Sequence, residues 1–245
     1  MVAWALAKYN GDPSKVFVVG ASSGGMMTNV MAATYPDVFI AGAIWSGAPD
    51  QCFAGQTSST PSTPDQTCAQ GKKTYTAQQW GDLARSSYPG YTGRRTRLII
   101  AHGTADGLTV YALYGQQLAQ WSNVLGVSVT RTLQNTPSSG WTETQYGDGS
   151  QLVGISLQGG GHIPPFQEVR VLTFFGLLGG TPNPTTTSRG AVVTTTGNTG
   201  PTTVITTTRI TTRNTSQLDP VTTSGSDPVG TVPHWGQCGG NGYTG

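Results

Sequence analysis

The strongest chemical signal in this sequence is a serine in a glycine-rich turn. Residues 20–24 read Gly-Ala-Ser-Ser-Gly, and they follow the apolar run 16–19 and precede a segment of helical spacing over 26–35. A G-x-S-x-G turn between a strand and a helix predicts a nucleophile elbow, in which the hydroxyl of Ser22 projects above a sheet. The backbone N–H of Ser23 would then supply half of an oxyanion hole. The alternative is a serine that only caps the helix.

A serine hydroxyl needs a base at neutral pH, and the sequence has only three histidines. His234 lies far beyond the predicted core, and His102 directly follows a predicted strand, where we expect a structural role. His162 ends the run Gly-Gly-Gly-His between the last predicted strand and the last predicted helix. A glycine-rich loop there would place the imidazole over Ser22, so the sequence favours His162 as the general base.

An acid is expected after a strand between the serine and the histidine, because α/β-hydrolases follow the chain order Ser, Asp, His. Asp106 meets both conditions, since it ends the segment Leu-Ile-Ile-Ala-His-Gly-Thr-Ala-Asp. Its carboxylate would accept the Nδ1–H of His162 and stabilise the imidazolium. Three other acids are competitors in poorer positions, and we expect them to be solvated surface residues: Asp82, Glu143 and Asp148.

The elements that must position these residues alternate along the chain. Predicted strands cover 16–19, 41–45, 97–101, 127–133, 142–146 and 152–157, and predicted helices cover 1–8, 26–35, 110–125 and 166–178. Short continuous apolar runs such as the first strand are typical of parallel strands that are buried on both faces. The alternation predicts a layered α/β fold with a mostly parallel sheet.

Composition excludes several classes of protein. Only 10% of the 245 residues are charged, and 13 basic against 11 acidic residues leave a formal net charge of +2. Without a basic excess, binding to nucleic acid is not expected. No run of eighteen apolar residues occurs, so no membrane span is predicted. No Cys-x-x-Cys pair or histidine cluster points to a metal, and the serine chemistry needs no cofactor.

The amino-acid composition of the chain changes after residue 180. Residues 181–233 hold 19 threonines among prolines, glycines and serines, and they include an N-glycosylation sequon at Asn214. Such a segment cannot bury enough apolar surface to offset its ordering entropy, so we expect a disordered, glycosylated linker. The alternative is a plain disordered tail.

Residues 234–245 read His-Trp-Gly-Gln-Cys-Gly-Gly-Asn-Gly-Tyr-Thr-Gly. They resemble the opening of a fungal family 1 carbohydrate-binding module, and the resemblance implies that Trp235 stacks on a sugar ring. The further aromatics and the pairing cysteines of such a module do not follow, and a dozen residues cannot fold alone. We therefore expect at most a weak contact with cellulose.

Cys52 and Cys68 enclose a polar segment rich in Ser, Thr and Pro. A disulfide between them would close a loop of about fifteen residues, worth roughly 3 kcal/mol in the chain-entropy model. Pairing is favoured in an oxidising compartment, and the alternative is two unrelated buried thiols.

The start of the chain is apolar, but residues 1–8 are too short for a signal peptide. Because the composition is typical of extracellular proteins, we expect the natural N-terminus to be absent.

Several motifs together resemble fungal carbohydrate esterase family 1. They are the run from Gly20 to Phe39, the Ser-Gly-Ala-Pro-x-x-Cys that ends at Cys52, Tyr88-Pro-Gly-Tyr-Thr-Gly, His102-Gly-Thr-Ala-Asp and Gly159-Gly-Gly-His. The resemblance covers about residues 1–180. It implies a secreted acetylxylan or feruloyl esterase that acts on plant cell-wall xylan, with Ser22, Asp106 and His162 as its catalytic triad.

Aromatic side chains are candidates for contact with the substrate, since they can stack on a sugar ring or an aromatic acyl group. We expect Trp45 and Trp141 to be exposed and to bind substrate, together with Tyr88 and Tyr91. The alternative is that they belong to the core, as most aromatics in such a fold do. The sequence does not separate acetyl from feruloyl substrates.

Members of that family carry an additional N-terminal half, with several strands and the second oxyanion donor. We therefore expect residues 1–180 to form a partial α/β-hydrolase fold, the C-terminal half of the sheet, followed by the disordered linker. Loss of one oxyanion donor typically costs about 100- to 1000-fold in rate, so weak or absent activity is expected. Two alternatives stay open: an inactive carbohydrate-associated protein, and an esterase of the polyhydroxyalkanoate type.

Overall fold

The computed structural model describes residues 1–54 and 65–178. The α-helices within these ranges are α1 (Val2–Tyr9), α2 (Ser23–Thr34), α3 (Gln66–Ala69), α4 (Ala77–Ser86), α5 (Ala112–Leu125) and α6 (Glu168–Phe175). The strands are β1 (Phe17–Ala21), β2 (Ala41–Trp45), β3 (Arg97–Gly103), β4 (Val129–Gln134), β5 (Trp141–Tyr146) and β6 (Leu152–Leu157). A short 3₁₀ turn, Pro13–Lys15, leads into β1.

The strands of the described residues form one mixed sheet in the order β1-β2-β3-β6-β5-β4. β1, β2, β3 and β6 run parallel, whereas β5 and β4 are antiparallel to their neighbours. Parallel neighbours need long crossover connections, and α2, α4 and α5 lie in those connections. The predicted α/β layering is confirmed, with an antiparallel hairpin at one end of the parallel part.

Both faces of the sheet are covered, as the residues of β3 show. Leu98 and Ile100 are fully buried in one cluster with Trp121 of α5. Ile99, between them, is fully buried in a second cluster with Phe174 of α6. Burying a side chain of this size contributes about 1.5–3 kcal/mol. The centre of the sheet is therefore a well-packed base for the turns at its strand ends.

The structure corrects the bounds of two strands that matter for function. β1 and β3 each continue two residues beyond the predicted ends, to Ala21 and Gly103. Their last residues therefore lead directly into the turns that carry Ser22 and Asp106.

Two helices, α3 and α4, were not predicted from the sequence. The longer of them is α4. Its N-terminus carries a capping box, in which Gln79 N donates to Thr76 Oγ1 at 3.2 Å and Thr76 N donates to Gln79 Oε1 at 2.9 Å. The Thr-x-x-Gln spacing is a helix-start signal that was present in the sequence.

Several predictions fall outside the described residues. These are the linker over 181–233 with Asn214, and the terminal segment 234–245 with Trp235. Within residues 1–54 and 65–178, no helix is both long and apolar enough to cross a membrane.

Candidate active site

Ser22 occupies a strained turn between β1 and α2. Its backbone has φ 55° and ψ −121°, a conformation that non-glycine residues rarely adopt and that tends to mark functional sites. The turn is so tight that a Cβ built on Gly20 would lie 2.1 Å from the carbonyl oxygen of Gly24. Glycine at position 20 therefore permits the turn. Although Ser22 is the N-cap residue of α2, its hydroxyl makes no capping hydrogen bond among the described residues. The capping alternative therefore does not describe this serine.

The three predicted triad residues follow the carboxyl ends of three parallel strands. Ser22 directly follows β1, Asp106 lies three residues after β3, and His162 lies five residues after β6. The carboxyl ends of parallel strands meet at one edge of a sheet, where ligand sites of α/β proteins form. The topology thus brings three residues that are distant in sequence to one place.

The side chains of these residues are in direct contact. His162 Nε2 lies 2.8 Å from Ser22 Oγ. His162 Nδ1 lies 3.0 Å from Asp106 Oδ2 and 3.1 Å from Asp106 Oδ1. Because a carboxylate only accepts, these contacts assign the proton to Nδ1 and leave Nε2 free to accept the serine proton. This is the geometry of a nucleophile, a general base and an orienting acid.

Asp106 is held ionised by a dense set of donors. Its side chain is fully buried, and Oδ1 accepts the backbone N–H groups of Leu108 at 2.9 Å and Thr109 at 3.0 Å. Burial alone would raise the pKa of Asp106, but the hydrogen bonds from Leu108, His162 and Thr109 outweigh it and hold that pKa below its ordinary value. The acid is therefore a carboxylate at neutral pH.

Thr109 is a site residue that the sequence reasoning missed. Its Oγ1 lies 2.9 Å from Asp106 Oδ2 and 3.1 Å from His162 Nδ1. It also lies 3.2 Å from the carbonyl oxygen of Ser46, at the end of β2. Thr109 thus joins the acid, the base and a neighbouring strand end. Its spacing three residues after an aspartate is a local turn signal that could have indicated the contact.

His102 lies at the end of β3, where the sequence predicted a structural residue, and it touches the acid. Its Nε2 lies 2.7 Å from the Thr109 carbonyl oxygen and 3.1 Å from Asp106 Oδ2. Both partners accept, so the proton belongs on Nε2, and the buried Nδ1 has no hydrogen-bond partner among the described residues. Burial lowers the pKa of His102, which keeps this imidazole neutral.

The loop that carries His162 is packed against the loop that carries the acid. Ala105 N donates to the Gly160 carbonyl oxygen at 2.8 Å, and Gly159 N donates to Thr104 Oγ1 at 2.8 Å. A Cβ on Gly103 would lie 2.2 Å from the carbonyl oxygens of both Gly160 and Gly161. Glycine at 103 therefore permits the close approach that sets the position of the imidazole.

Ser23 is the first residue of α2 and is exposed. The first N–H groups of a helix have no intrahelical acceptor and point toward the positive end of the helix dipole. Placed one residue after Ser22, the Ser23 N–H is suited to an oxyanion that forms at the Ser22 hydroxyl. Among the described residues, no group of three or more His, Cys, Asp or Glu side chains could hold a metal.

A cavity of about 810 Å³ opens beside the serine, and we call it the Ser22 cavity. Its lining comes from the first two turns of α2, the segment after β2, the loop just after Asp106 and the ends of α3 and α4. The lining residues are Ser22, Ser23, Met26, Met27, Val30, Pro49, Asp50, Gln51, Cys52, Phe53, Ala54, Ala69, Ser87, Leu108 and Thr109. Its volume falls within the range of about 300–1,000 Å³ that is typical of small-molecule sites.

Cys52 and Cys68 form a disulfide with their Cα atoms 5.7 Å apart. Both cysteines are fully buried, and they pack in a small cluster with Trp80 and Leu113. Because Cys52 also lines the Ser22 cavity, the disulfide ties one wall of the cavity to the core.

The expectation that Trp45 and Trp141 are exposed is wrong. Trp45 is 0% exposed and Trp141 is 3% exposed, because both point into the core from strands β2 and β5. Neither residue lines the Ser22 cavity. Tyr88 is partly exposed and stacks on Tyr91 with ring centroids 4.9 Å apart.

The competing acids lie away from the triad contacts. Asp82 pairs with Arg85 at the surface at 3.0 Å, and Asp148 accepts from Ser150 at 2.6 Å in an exposed turn. Glu143 departs from the expected solvated role, because it is 1% exposed. It forms a buried ion pair with Arg170 at 2.7 Å, which ties β5 to α6.

The sheet order, the covering helices and the turns at the strand ends define an α/β-hydrolase fold. Residues 1–131 match the model of the prolyl oligopeptidase family. The chain belongs to that family.

Individual relatives are more informative about chemistry. The chain is 54% identical over 178 residues to "Feruloyl esterase B" of Neurospora crassa, covering 73% of this chain and 61% of the relative. It is 40% identical over 248 residues to "Probable acetylxylan esterase A" of Aspergillus fumigatus, covering 100% of this chain and 60% of the relative. The chain thus spans about three fifths of the length of these curated relatives.

A solved structure shows the same arrangement. The acetyl xylan esterase from Aspergillus awamori superposes with a TM-score of 0.69 at 39% identity, covering 73% of this chain and 65% of that protein. The similarity places the sheet and its helices within a known esterase architecture.

Proposed function

We propose that this chain is a secreted serine carboxylesterase that removes acetyl or feruloyl groups from plant cell-wall xylan. The observation that carries the proposal is the contact of 2.8 Å between His162 Nε2 and Ser22 Oγ, with His162 Nδ1 on the buried Asp106 carboxylate. A serine in this setting becomes a nucleophile because its proton has an acceptor within hydrogen-bond reach.

The similarities to known proteins support an ester as the substrate of this chain. The relatives quoted above are named feruloyl esterase and acetylxylan esterase, and the motifs around the triad resemble carbohydrate esterase family 1. None of those three relatives is named for a polyester, so they do not support the polyhydroxyalkanoate alternative.

The first half of the proposed cycle forms an acyl-enzyme. Ser22 Oγ attacks the ester carbonyl carbon while its proton passes to His162 Nε2. The carbonyl oxygen becomes an oxyanion beside the Ser23 N–H, and Asp106 stabilises the imidazolium. His162 then returns the proton to the sugar oxygen as the C–O bond breaks, and the sugar hydroxyl departs.

The second half releases the acid. A water molecule loses a proton to His162 Nε2 and attacks the acyl carbon, and the tetrahedral intermediate collapses with Ser22 Oγ as the leaving group. The proton goes back to Ser22, which restores the free enzyme and leaves a carboxylic acid as the product.

The proposal also covers location and attachment. The disulfide between Cys52 and Cys68 suits an oxidising compartment, which supports secretion. We further propose that Asn214 is glycosylated, and that Trp235 makes a weak contact with cellulose.

The test is hydrolysis by the full 245-residue chain, at enzyme concentrations that detect a rate about 100- to 1000-fold below that of an enzyme with both oxyanion donors. Acetate release from acetylxylan and ferulate release from methyl ferulate are measured, with Ser22→Ala as the matched inactive variant. Turnover that Ser22→Ala abolishes, at an unchanged melting temperature, supports the proposal. If neither ester is hydrolysed, or if Ser22→Ala retains the activity while folded, the proposed function is wrong.

A further inference from the structure

The Ser22 cavity contains a polar pair that the triad does not use. Most of its lining is apolar, from Met26, Met27, Val30, Pro49, Phe53 and Leu108 among others. Asp50 and Ser87 lie in the same wall, and Ser87 Oγ donates to Asp50 Oδ2 at 2.6 Å. A carboxyl and a hydroxyl are thus placed together within an apolar cavity beside the nucleophile.

The backbone around Asp50 is fixed from two directions. Asp50 N donates to Gln120 Oε1 at 2.7 Å, and Gln120 Nε2 donates to the Asp50 carbonyl oxygen at 3.1 Å. Gln120 is itself fully buried and also donates to the Trp80 carbonyl oxygen at 3.0 Å. The position of the Asp50 carboxyl is therefore preset, as a specificity group requires.

Ser87 is held in the same way. Gln51 Nε2, with two hydrogens to donate, lies 3.0 Å from Ser87 Oγ, 2.9 Å from Ser86 Oγ and 2.6 Å from the Leu83 carbonyl oxygen. Since Ser87 Oγ gives its own proton to Asp50, the pair offers hydrogen-bond acceptors to the cavity.

Asp50 has no evident structural reason to be an acid. It is 2% exposed, and within residues 1–54 and 65–178 no cation lies within ion-pair distance of its carboxyl. An unpaired buried carboxylate is costly, and such groups in a cleft are candidates for function.

Building on the proposed esterase function, we propose that Asp50, supported by Ser87, determines acyl specificity by accepting the hydroxyl of a hydroxylated aromatic acyl group. The apolar walls suit an aromatic ring, and the two methionine thioethers make favourable contacts with ring edges. A cavity of about 810 Å³ is far larger than an acetyl group needs. The preferred esters are therefore hydroxycinnamoyl esters rather than acetyl esters.

The experiment is a substrate-by-variant comparison with the full chain. The ratio of kcat/KM for methyl 4-hydroxycinnamate to that for methyl cinnamate is measured for the wild type, Asp50→Asn, Ser87→Ala and Ser86→Ala. The two esters differ in the hydroxyl, and comparing ratios between variants cancels their different intrinsic reactivity. Ser86 is the matched control, because it accepts from the same Gln51 amide without lining the Ser22 cavity.

A hydrogen bond to a charged group makes the expected wild-type ratio about 10- to 100-fold. Asp50→Asn is expected to lower the ratio by about tenfold or more, Ser87→Ala to lower it less, and Ser86→Ala to leave it unchanged. A ratio near one in the wild type, or equal ratios in Asp50→Asn and Ser86→Ala, would overturn the proposal.

A binding measurement keeps the inference separate from turnover. Equilibrium dialysis of both esters against Ser22→Ala, with and without Asp50→Asn, reports recognition without hydrolysis. Tighter binding of the hydroxylated ester that depends on Asp50 supports the inference even if the wild type hydrolyses neither ester. Equal binding of both esters rejects the inference even if hydrolysis is efficient.

Discussion

His102 Nε2 lies 3.1 Å from Asp106 Oδ2, and both side chains are fully buried. The acid of the triad is thus held from two sides, by His162 toward the nucleophile and by His102 toward the core. The two histidines differ in exposure, because His162 keeps 25% of its side chain accessible. In the proposed mechanism the His162 imidazole exchanges protons, whereas burial lowers the pKa of His102 and keeps that imidazole neutral.

Replacing His102 is expected to weaken the folded state through this contact. His102→Leu removes the Nε2 donor from Asp106 and from the Thr109 carbonyl oxygen, and a hydrogen bond to a charged group contributes about 1.5–3 kcal/mol. His102→Gln retains an amide donor and is expected to recover part of the loss. Urea unfolding of both variants measures the difference, and equal stability of His102→Leu and the wild type would contradict the prediction.

The same residue predicts a pH dependence. The pKa of His102 is lowered in the folded chain, so the unfolded chain takes up a proton first as the pH falls below about 6.5. The stabilisation is complete above that pH and declines below it. In His102→Gln this part of the pH dependence is expected to disappear, while an unchanged slope would show that another group causes it.

Gly103 allows a test of how the His162 loop is positioned. Gly103→Ala would place a Cβ 2.2 Å from two backbone oxygens of that loop, so the loop must move. A displacement of about 1 Å in a catalytic group can cost about 100-fold in rate. Hydrolysis of p-nitrophenyl acetate is expected to fall by that order.

Gly107→Ala is the matched control for the glycine test. It lies in the loop after β3, and a Cβ there meets nothing within 4 Å. It is expected to retain the rate of the wild type. If both glycine variants behave alike, close approach at Gly103 is not what positions the imidazole.

Much of the site could be predicted because its signals are local. The elbow around Ser22, the strand before Asp106 and the glycines before His162 are each readable in a short window, and chain order connects them. The contacts of Thr109 and His102 with Asp106 depend on how the loop after β3 folds back. The conformation of this loop leaves no periodic pattern in the sequence from which it could be predicted.

The misassigned tryptophans show what sequence reasoning overlooked. Trp45 is the last residue of β2, whose residues are all buried, and Trp141 begins an alternating pattern in β5. Aromatic type alone indicated a sugar contact, whereas the place of Trp45 in a short apolar run typical of a buried parallel strand already favoured the core. The strand assignment should have decided the role of Trp45, whereas Trp141 lies one residue before the predicted strand 142–146.

Removing the disulfide is expected to loosen one wall of the Ser22 cavity without dismantling the triad. The double variant Cys52→Ser and Cys68→Ser is expected to lose roughly 3 kcal/mol of unfolding free energy. Lys73 Nζ still donates to the Cys52 carbonyl oxygen at 2.6 Å, so the segment keeps a second attachment. KM for methyl ferulate is expected to rise more than KM for p-nitrophenyl acetate.

Reduction of the wild-type chain provides the control for the cysteine variant. Melting temperatures with and without a reductant should differ for the wild type and coincide for the double variant. A wild type that melts at the same temperature in both conditions, with free thiols at Cys52 and Cys68 verified by mass spectrometry after reduction, would show that the disulfide does not stabilise the fold.

Asp50→Asn is expected to stabilise the fold at high pH while impairing recognition. Burial raises the pKa of Asp50 from 3.8 to about 6, and the groups that face it are neutral, namely the Ser87 hydroxyl and the Gln51 N–H. A carboxyl whose folded pKa is raised favours the folded state at low pH and loses that contribution as the pH rises through about 6. The ionised form therefore destabilises the fold above that pH, by up to about 3 kcal/mol.

Unfolding free energies of the wild type, Asp50→Asn and the exposed control Asp82→Asn at pH 4 and pH 8 measure this effect. The gain in Asp50→Asn should appear at pH 8 and shrink toward pH 4, and Asp82→Asn should show no such trend. A gain that is the same at both pH values would mean that packing, rather than ionisation, explains it.

If the variant is more stable at pH 8 and no longer prefers the hydroxylated ester, Asp50 is a residue that lowers stability but is retained for substrate recognition. The wild-type preference itself should then weaken as the pH falls through about 6, because a protonated carboxyl is a poorer acceptor for the aromatic hydroxyl.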